Sequence, residues 1–209
     1  MAARSTTVLT LALLLGSCGS GRDGTLAVAV MGDVSALKER GPRFSPAAQL
    51  VRSATVEGLV GFDEQGRVVP ALADRWIVTD QGQSYIFRLR DGTWPDGQRI
   101  TADTAAALRK TIATLKGTAL GLDLAAIDEV RVMSDRVIEV DLFAPVPELL
   151  TILAQPELGL TYGGRGLGPM AAKTAEDGTR TMTLIPPEAR GLSKQANFCL
   201  LYTSDAADE

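Results

Sequence analysis

The stretch Glu57-Gly-Leu-Val-Gly-Phe-Asp-Glu-Gln-Gly-Arg-Val-Val-Pro-Ala-Leu-Ala-Asp-Arg-Trp76 decides the fold class. Leu59–Phe62 and Arg67–Val69 are short apolar runs, and between them lies the acidic, glycine-ended turn Asp63–Gly66. Two apolar runs joined by such a turn predict a small hairpin. Trp76–Thr79 and Ser84–Arg90 repeat the pattern around the polar loop Asp80–Gln83. In the second of these strands Tyr85, Phe87 and Leu89 alternate with Ile86, Arg88 and Arg90, so one face is more polar. Trp94-Pro-Asp-Gly97 follows as a turn with proline and glycine in their usual places.

Working outward, helices separate the hairpins. Ser45-Pro46 places an N-cap before a proline at the first helical position, predicting a helix to about Val56 with Ala47, Leu50, Val51 and Ala54 on one face. Thr101 caps a second predicted helix, Ala102 to about Leu115, with Ala105, Leu108, Ile112 and Leu115 as its apolar stripe. Glu129–Met133 and Arg136–Leu142 form a third hairpin, and Pro147 opens a short helix through Leu153. Upstream, Thr25–Val30 is a continuous apolar run of strand length. Hairpins mixed with isolated helices predict an α/β fold of the mixed α+β kind.

Composition removes several function classes. The 209 residues include no histidine, which removes Ser-His-Asp and Cys-His nucleophilic systems and every histidine-containing zinc site from this stretch. Cys18 and Cys199 lie near opposite ends, without the close spacing of a redox or zinc motif. A net charge of −4, with no basic block, gives no sign of a nucleic-acid surface. Gly166-x-Gly-x-x-Ala171 fits a dinucleotide fingerprint formally, but Pro169 interrupts it and no clear strand leads into it. Asp33, Asp63, Glu64, Asp91, Asp96 and Asp103 fall mostly at turns or helix starts, where carboxylates have ordinary structural roles.

The N-terminus reads as an address. Residues 1–17 combine Arg4, the apolar run Val8–Leu15 and the small residues Gly16 and Ser17, the layout of a secretory signal too short to span a bilayer. Leu15-Gly16-Ser17-Cys18 resembles the bacterial lipobox, in which the cysteine carries the lipid. Residues 18–24 then form a flexible tether.

The opening stretch also resembles a known signature. Its Glu-Gly-Leu start, acidic turn, Pro-x-Leu-Ala and tryptophan are similar to those of solute-binding protein family 5, which includes dipeptide, oligopeptide and nickel receptors of ABC importers. The likeness continues in order through Tyr85–Gly92, Trp94–Gly97, Thr101–Asp103, Ile127–Pro147 and Gly166–Pro169. It departs from the family at Lys38-Glu39, Leu167 and Met170.

The resemblance implies the first part of a two-lobed periplasmic-binding-protein-like fold of type II, residues 25–198 supplying an incomplete N-terminal lobe and the second lobe being absent. It implies a receptor without catalysis, cofactor or metal, monomeric, periplasmic or at the cell surface, and held to a membrane by lipid on Cys18. A peptide or other small solute and the ABC permease subunits would be its partners, and nucleic acid would not. Ligand-side residues carried over from the family are Met31, Gly32, Asp33 and Val34, with Asp33 placed to pair with a ligand's ammonium. Trp94 is a candidate stacking residue, with core or turn packing narrowly the favoured reading. Residues 199–209 resemble translated sequencing-adapter DNA and are expected to be a non-native tail. A structural or adhesive surface lipoprotein, and an extracytoplasmic hydrolase working through lysine or carboxylates, are the rival readings.

Overall fold

The computed structural model describes residues 25–31, 44–174, 180–184 and 195–201. In chain order the first elements are β1 (Thr25–Met31), α1 (Pro46–Thr55), β2 (Val60–Phe62) and β3 (Val68–Pro70). Then come β4 (Ala73–Thr79), β5 (Ser84–Leu89), α2 (Thr104–Thr114) and the short α3 (Ala119–Asp123). Next are β6 (Ile127–Ser134), β7 (Val137–Leu142) and α4 (Leu149–Leu153), followed by β8 (Met170–Thr174), β9 (Arg180–Leu184) and β10 (Gln195–Leu201).

The three hairpins expected from the sequence are present. β2 and β3 pair by themselves, while the other two hairpins join through β5 and β7 into an antiparallel sheet ordered β4-β5-β7-β6. Strand alternation decides its two faces. Tyr85, Phe87 and Leu89 of β5 and Ile138, Val140 and Leu142 of β7 are buried, and they share the core with Leu108 of α2 and Leu149 and Leu153 of α4. The other face carries Ile86 and Arg88 beside Glu139 and Asp141, more polar as read. A second sheet, ordered β1-β10-β9-β8, has β1 and β10 parallel and the rest antiparallel. β10 includes Cys199–Leu201, the first residues of the stretch read as a foreign tail.

Two helix readings need correction. Ser45 caps α1 as expected, its side chain accepting from the Ala48 N–H at 3.3 Å. The buried stripe is Ala47, Ala48 and Val51, however, and Leu50 is 48% exposed. α1 presents only a narrow strip to β8 and the turn at Pro156–Leu158, so a residue one step round the helix faces out. Thr101 does not cap α2. Thr101 to Thr104 form a separate turn, closed by the Thr104 hydroxyl donating to the Thr101 carbonyl at 2.6 Å, and the helix starts two residues later than expected.

The link between the two sheets depends on glycine. Gly166 and Gly168 cross directly over the end of α1, where the Gly168 N–H donates to the Thr55 carbonyl at 3.2 Å. A Cβ at Gly168 would fall 2.6 Å from both the Ala54 oxygen and the Val56 nitrogen, and backbone cannot move aside as a side-chain end can. Arg52 fastens the same helix on another side, donating to the carbonyls of Pro156 at 3.1 Å and Gly159 at 2.9 Å. Gly168→Ala is therefore expected to lower stability by about 1–3 kcal/mol, the usual cost of overpacking. Urea unfolding of the two proteins side by side checks this, and an unchanged midpoint would contradict the close crossing.

Candidate functional site

Of the six residues expected to carry the lipid or face the ligand, the structure describes two. Met31 ends β1, its backbone paired with Leu201 of β10. Gly32, Asp33, Val34 and Cys18 lie outside the described residues. Trp94 is placed fully. Its N–H donates to the Gln98 carbonyl at 2.7 Å, its carbonyl accepts from Gly97 at 2.9 Å, and Asp96 Oδ1 accepts from the Gln98 N–H at 3.1 Å. This is the proline–glycine turn read from the sequence, with Gly97 at φ +87°. The turn folds the indole inward until Trp94 is 4% exposed and part of the core.

One edge of that indole still borders open space. Trp94 packs on Tyr162, with ring centroids 5.8 Å apart and planes at 27°. Tyr162 stands at the base of the tight turn Tyr162–Arg165, whose central residues Gly163 and Gly164 have φ of +57° and +79°. The two rings, with Arg99, Thr101, Asp103 and Thr161, line a shallow recess of about 280 Å³. Sequence reasoning did not find Tyr162. The Gly-Gly turn after it was a usable signal, but its partnership with Trp94 is tertiary.

The carboxylates elsewhere have structural partners. Asp63 accepts from the backbone N–H groups of Gln65 and Arg67, both at 2.9 Å, and these bonds, with the Arg67 side chain, hold its carboxyl below the usual range. On the outer sheet face Arg131 reaches three acids: Glu139 and Asp141 at 2.8 Å and Glu129 at 3.5 Å. Glu139, largely buried, also accepts from the Ser84 hydroxyl at 2.8 Å. The Arg131 bond first, then the Ser84 bond, keeps its carboxyl below its ordinary value. Glu57 is opposite in behaviour: burial pushes its carboxyl up, and Arg90 only partly offsets this. Arg90 Nη2 lies 2.9 Å from Glu57 Oε2, although the geometry there falls short of a good hydrogen bond. Among the described residues no group of three or more acids and cysteines is placed to hold a metal ion.

The family model described as "Bacterial extracellular solute-binding proteins, family 5 Middle" matches residues 67–183, more than half of the chain. The chain belongs to this family. Curated proteins named as periplasmic binding proteins are also similar to it. "Probable deoxycholate-binding periplasmic protein YgiS" of Escherichia coli (strain K12) is 36% identical over 135 residues, covering 54% of this chain and 24% of that protein. "Probable peptide ABC transporter periplasmic-binding protein y4tO" of Sinorhizobium fredii is 30% identical over 129 residues, covering 60% of this chain and 24% of that protein. Among solved structures, NikA from Brucella suis in complex with Fe(III)-EDTA superposes with a TM-score of 0.69 at 21% identity, over 85% of this chain and 39% of that one. At that identity the likeness shows the fold: part of a two-lobed periplasmic binding protein. The chain spans about a quarter of the length of these curated relatives.

Two pH effects follow from the buried acids. Glu139, with its folded value lowered, stabilises the fold above the ordinary glutamate range near pH 4.3 and stops doing so as pH falls through the folded value. Glu139→Gln is expected to melt lower than the parent near neutral pH, with the gap closing on acidification. Glu57 has the reverse sign, because its raised value makes ionisation unfavourable to the fold. Removing the compensating cation in Arg90→Gln should therefore cost more stability at about pH 8 than at about pH 5. Thermal melts across that range test both, and parallel curves for parent and variant would refute either assignment.

Proposed function

We propose that this chain is the front part of an extracytoplasmic solute-binding receptor of an ABC importer, capturing a peptide or similar small solute for a membrane permease. The observation that carries this is the family match over residues 67–183. The solute would be held between this lobe and a second one, and closure would follow from the ligand's greater affinity for the closed arrangement. Met31, Gly32, Asp33 and Val34, where β1 ends, are proposed to face that ligand, with Trp94 contributing from the recess. The receptor acts as a monomer without catalysis or cofactor, and lipid on Cys18 holds it to a membrane.

A peptide ligand is supported by the relative named as a peptide-binding component, 30% identical over 129 residues. A second ligand class has a specific observation behind it. The relative with the higher identity, 36% over 135 residues, carries the name of a deoxycholate-binding protein.

Calorimetry on the complete gene product that carries this chain decides between these. Saturable heat with a library of short peptides, absent with deoxycholate, supports the first class, and the reverse pattern supports the second. Failure to bind any solute would favour the structural or adhesive reading, and turnover of a peptide or ester would favour a hydrolase. Growth with labelled fatty acid tests the anchor: label is expected on the parent and lost in Cys18→Ser.

A further inference from the structure

The recess beside Trp94 is lined by an indole whose N–H has no protein acceptor among the described residues. Trp94 is 4% exposed, and among the described residues no acceptor takes its indole N–H. Buried tryptophan N–H groups ordinarily find a partner. Of the fully buried side-chain nitrogens and oxygens described, only Glu57 Oε2 lacks a hydrogen bond. The indole nitrogen is not one of these, and Trp94 is among the residues that line the recess.

The groups around it are complementary to one kind of molecule. Tyr162, 47% exposed, presents an aromatic face. Arg99 has its nearest carboxylate, Asp135, at 3.9 Å with both side chains about two-thirds exposed, a pairing too loose to hold the guanidinium. Asp103 supplies the opposite charge, and the side-chain bond it makes is with the Thr101 hydroxyl at 3.2 Å. A space of about 280 Å³ is at the lower limit for a small-molecule pocket and admits a single ring.

We propose that this recess is a binding subsite for a single-ring aromatic amino acid, either free or as the end residue of a short peptide. The ring packs on Tyr162; a free amino acid sets its carboxylate against Arg99 and the Trp94 N–H and its ammonium toward Asp103, and a peptide end residue makes the one of these contacts that its free terminus allows. The carboxylate–guanidinium bond is charge-assisted and therefore the stronger polar contact. The proposal deepens the receptor reading and rests on it for the ligand's being a captured solute. The lining residues named here all belong to the described part of this chain.

The chain has two tryptophans, Trp76 and Trp94, hence two indole N–H resonances, which Trp94→Phe assigns. Titrating L-phenylalanine into the nitrogen-labelled chain is expected to shift the Trp94 resonance saturably while Trp76 stays in place. Leucine, which lacks the ring, and N-acetyl-phenylalaninamide, which lacks both charges, should leave it unmoved. Tyr162→Ala and Arg99→Gln, both at exposed side chains, should each weaken the midpoint about tenfold, equivalent to about 1.4 kcal/mol. Stronger response to glycyl-phenylalanine or phenylalanyl-glycine than to the free amino acid identifies a peptide end as the source. A Trp94 resonance that stays fixed up to the solubility limit of every probe overturns the proposal, as does a shift unchanged in both variants. Solute binding by the complete gene product alongside a silent recess would leave the receptor reading standing and remove this one.

Discussion

Everything described here is arranged around keeping one sheet face dry. Phe87, fully buried at the centre of β5, lies opposite Trp76 on one neighbouring strand and Ile138 on the other. Its ring stacks with Tyr85 at 6.5 Å, and the Tyr85 hydroxyl finds the Val146 carbonyl at 3.2 Å, so the polar end of that ring is satisfied where it leaves the core. Apolar burial of this kind is the dominant favourable contribution to folding and is indifferent to direction. Direction comes from the strands, whose two-residue period forces charged partners to the other face. Trp94 belongs to the same core, which is why the recess has one wall that is held firmly and another, at Tyr162, that stands in solvent.

The outer face shows how polar groups complete the register. Arg131 on β6 faces Glu139 on β7 directly, and Ser84 on β5 reaches the same carboxylate from the far side. A slip of one residue on any of the three strands would send these groups inward and leave them unpaired. The network therefore contributes more to specifying the alignment than its surface-exposed ion pairs contribute to stability.

Much of this was legible from local pattern, and the failures have a common cause. Alternation in Ser84–Leu89 and the turn residues of Asp63–Gly66 are local signals, and the hairpins they announce are present. Ser45 was legible as a cap because its hydrogen bond spans three residues. Leu50 was misplaced because periodicity cannot say how wide a strip of α1 the neighbouring elements cover. Thr101 was misread because its own carbonyl was taken by Thr104 in a preceding turn. The joining of two hairpins through β5 and β7, and the contact of Tyr162 with Trp94, connect residues far apart in the chain, for which no local pattern exists. The ligand-side segment Gly32–Val34 came from family likeness, and its placement lies beyond the described residues.

The pairing of β1 with β10 bears on the order in which the chain acquires its structure. Thr25 aligns with Gln195, far along the chain, and the whole four-stranded antiparallel sheet lies between them in sequence. Contacts so distant in sequence are slow to form, because the loop must be closed before any bond repays it. The run Thr25-Leu-Ala-Val-Ala-Val-Met31 therefore emerges early with its parallel neighbour not yet made. An apolar strand without its neighbour is a template for pairing with other chains. The antiparallel sheet, assembled from neighbouring hairpins, is the part suited to form first, and the sheet containing β1 can be completed only afterwards.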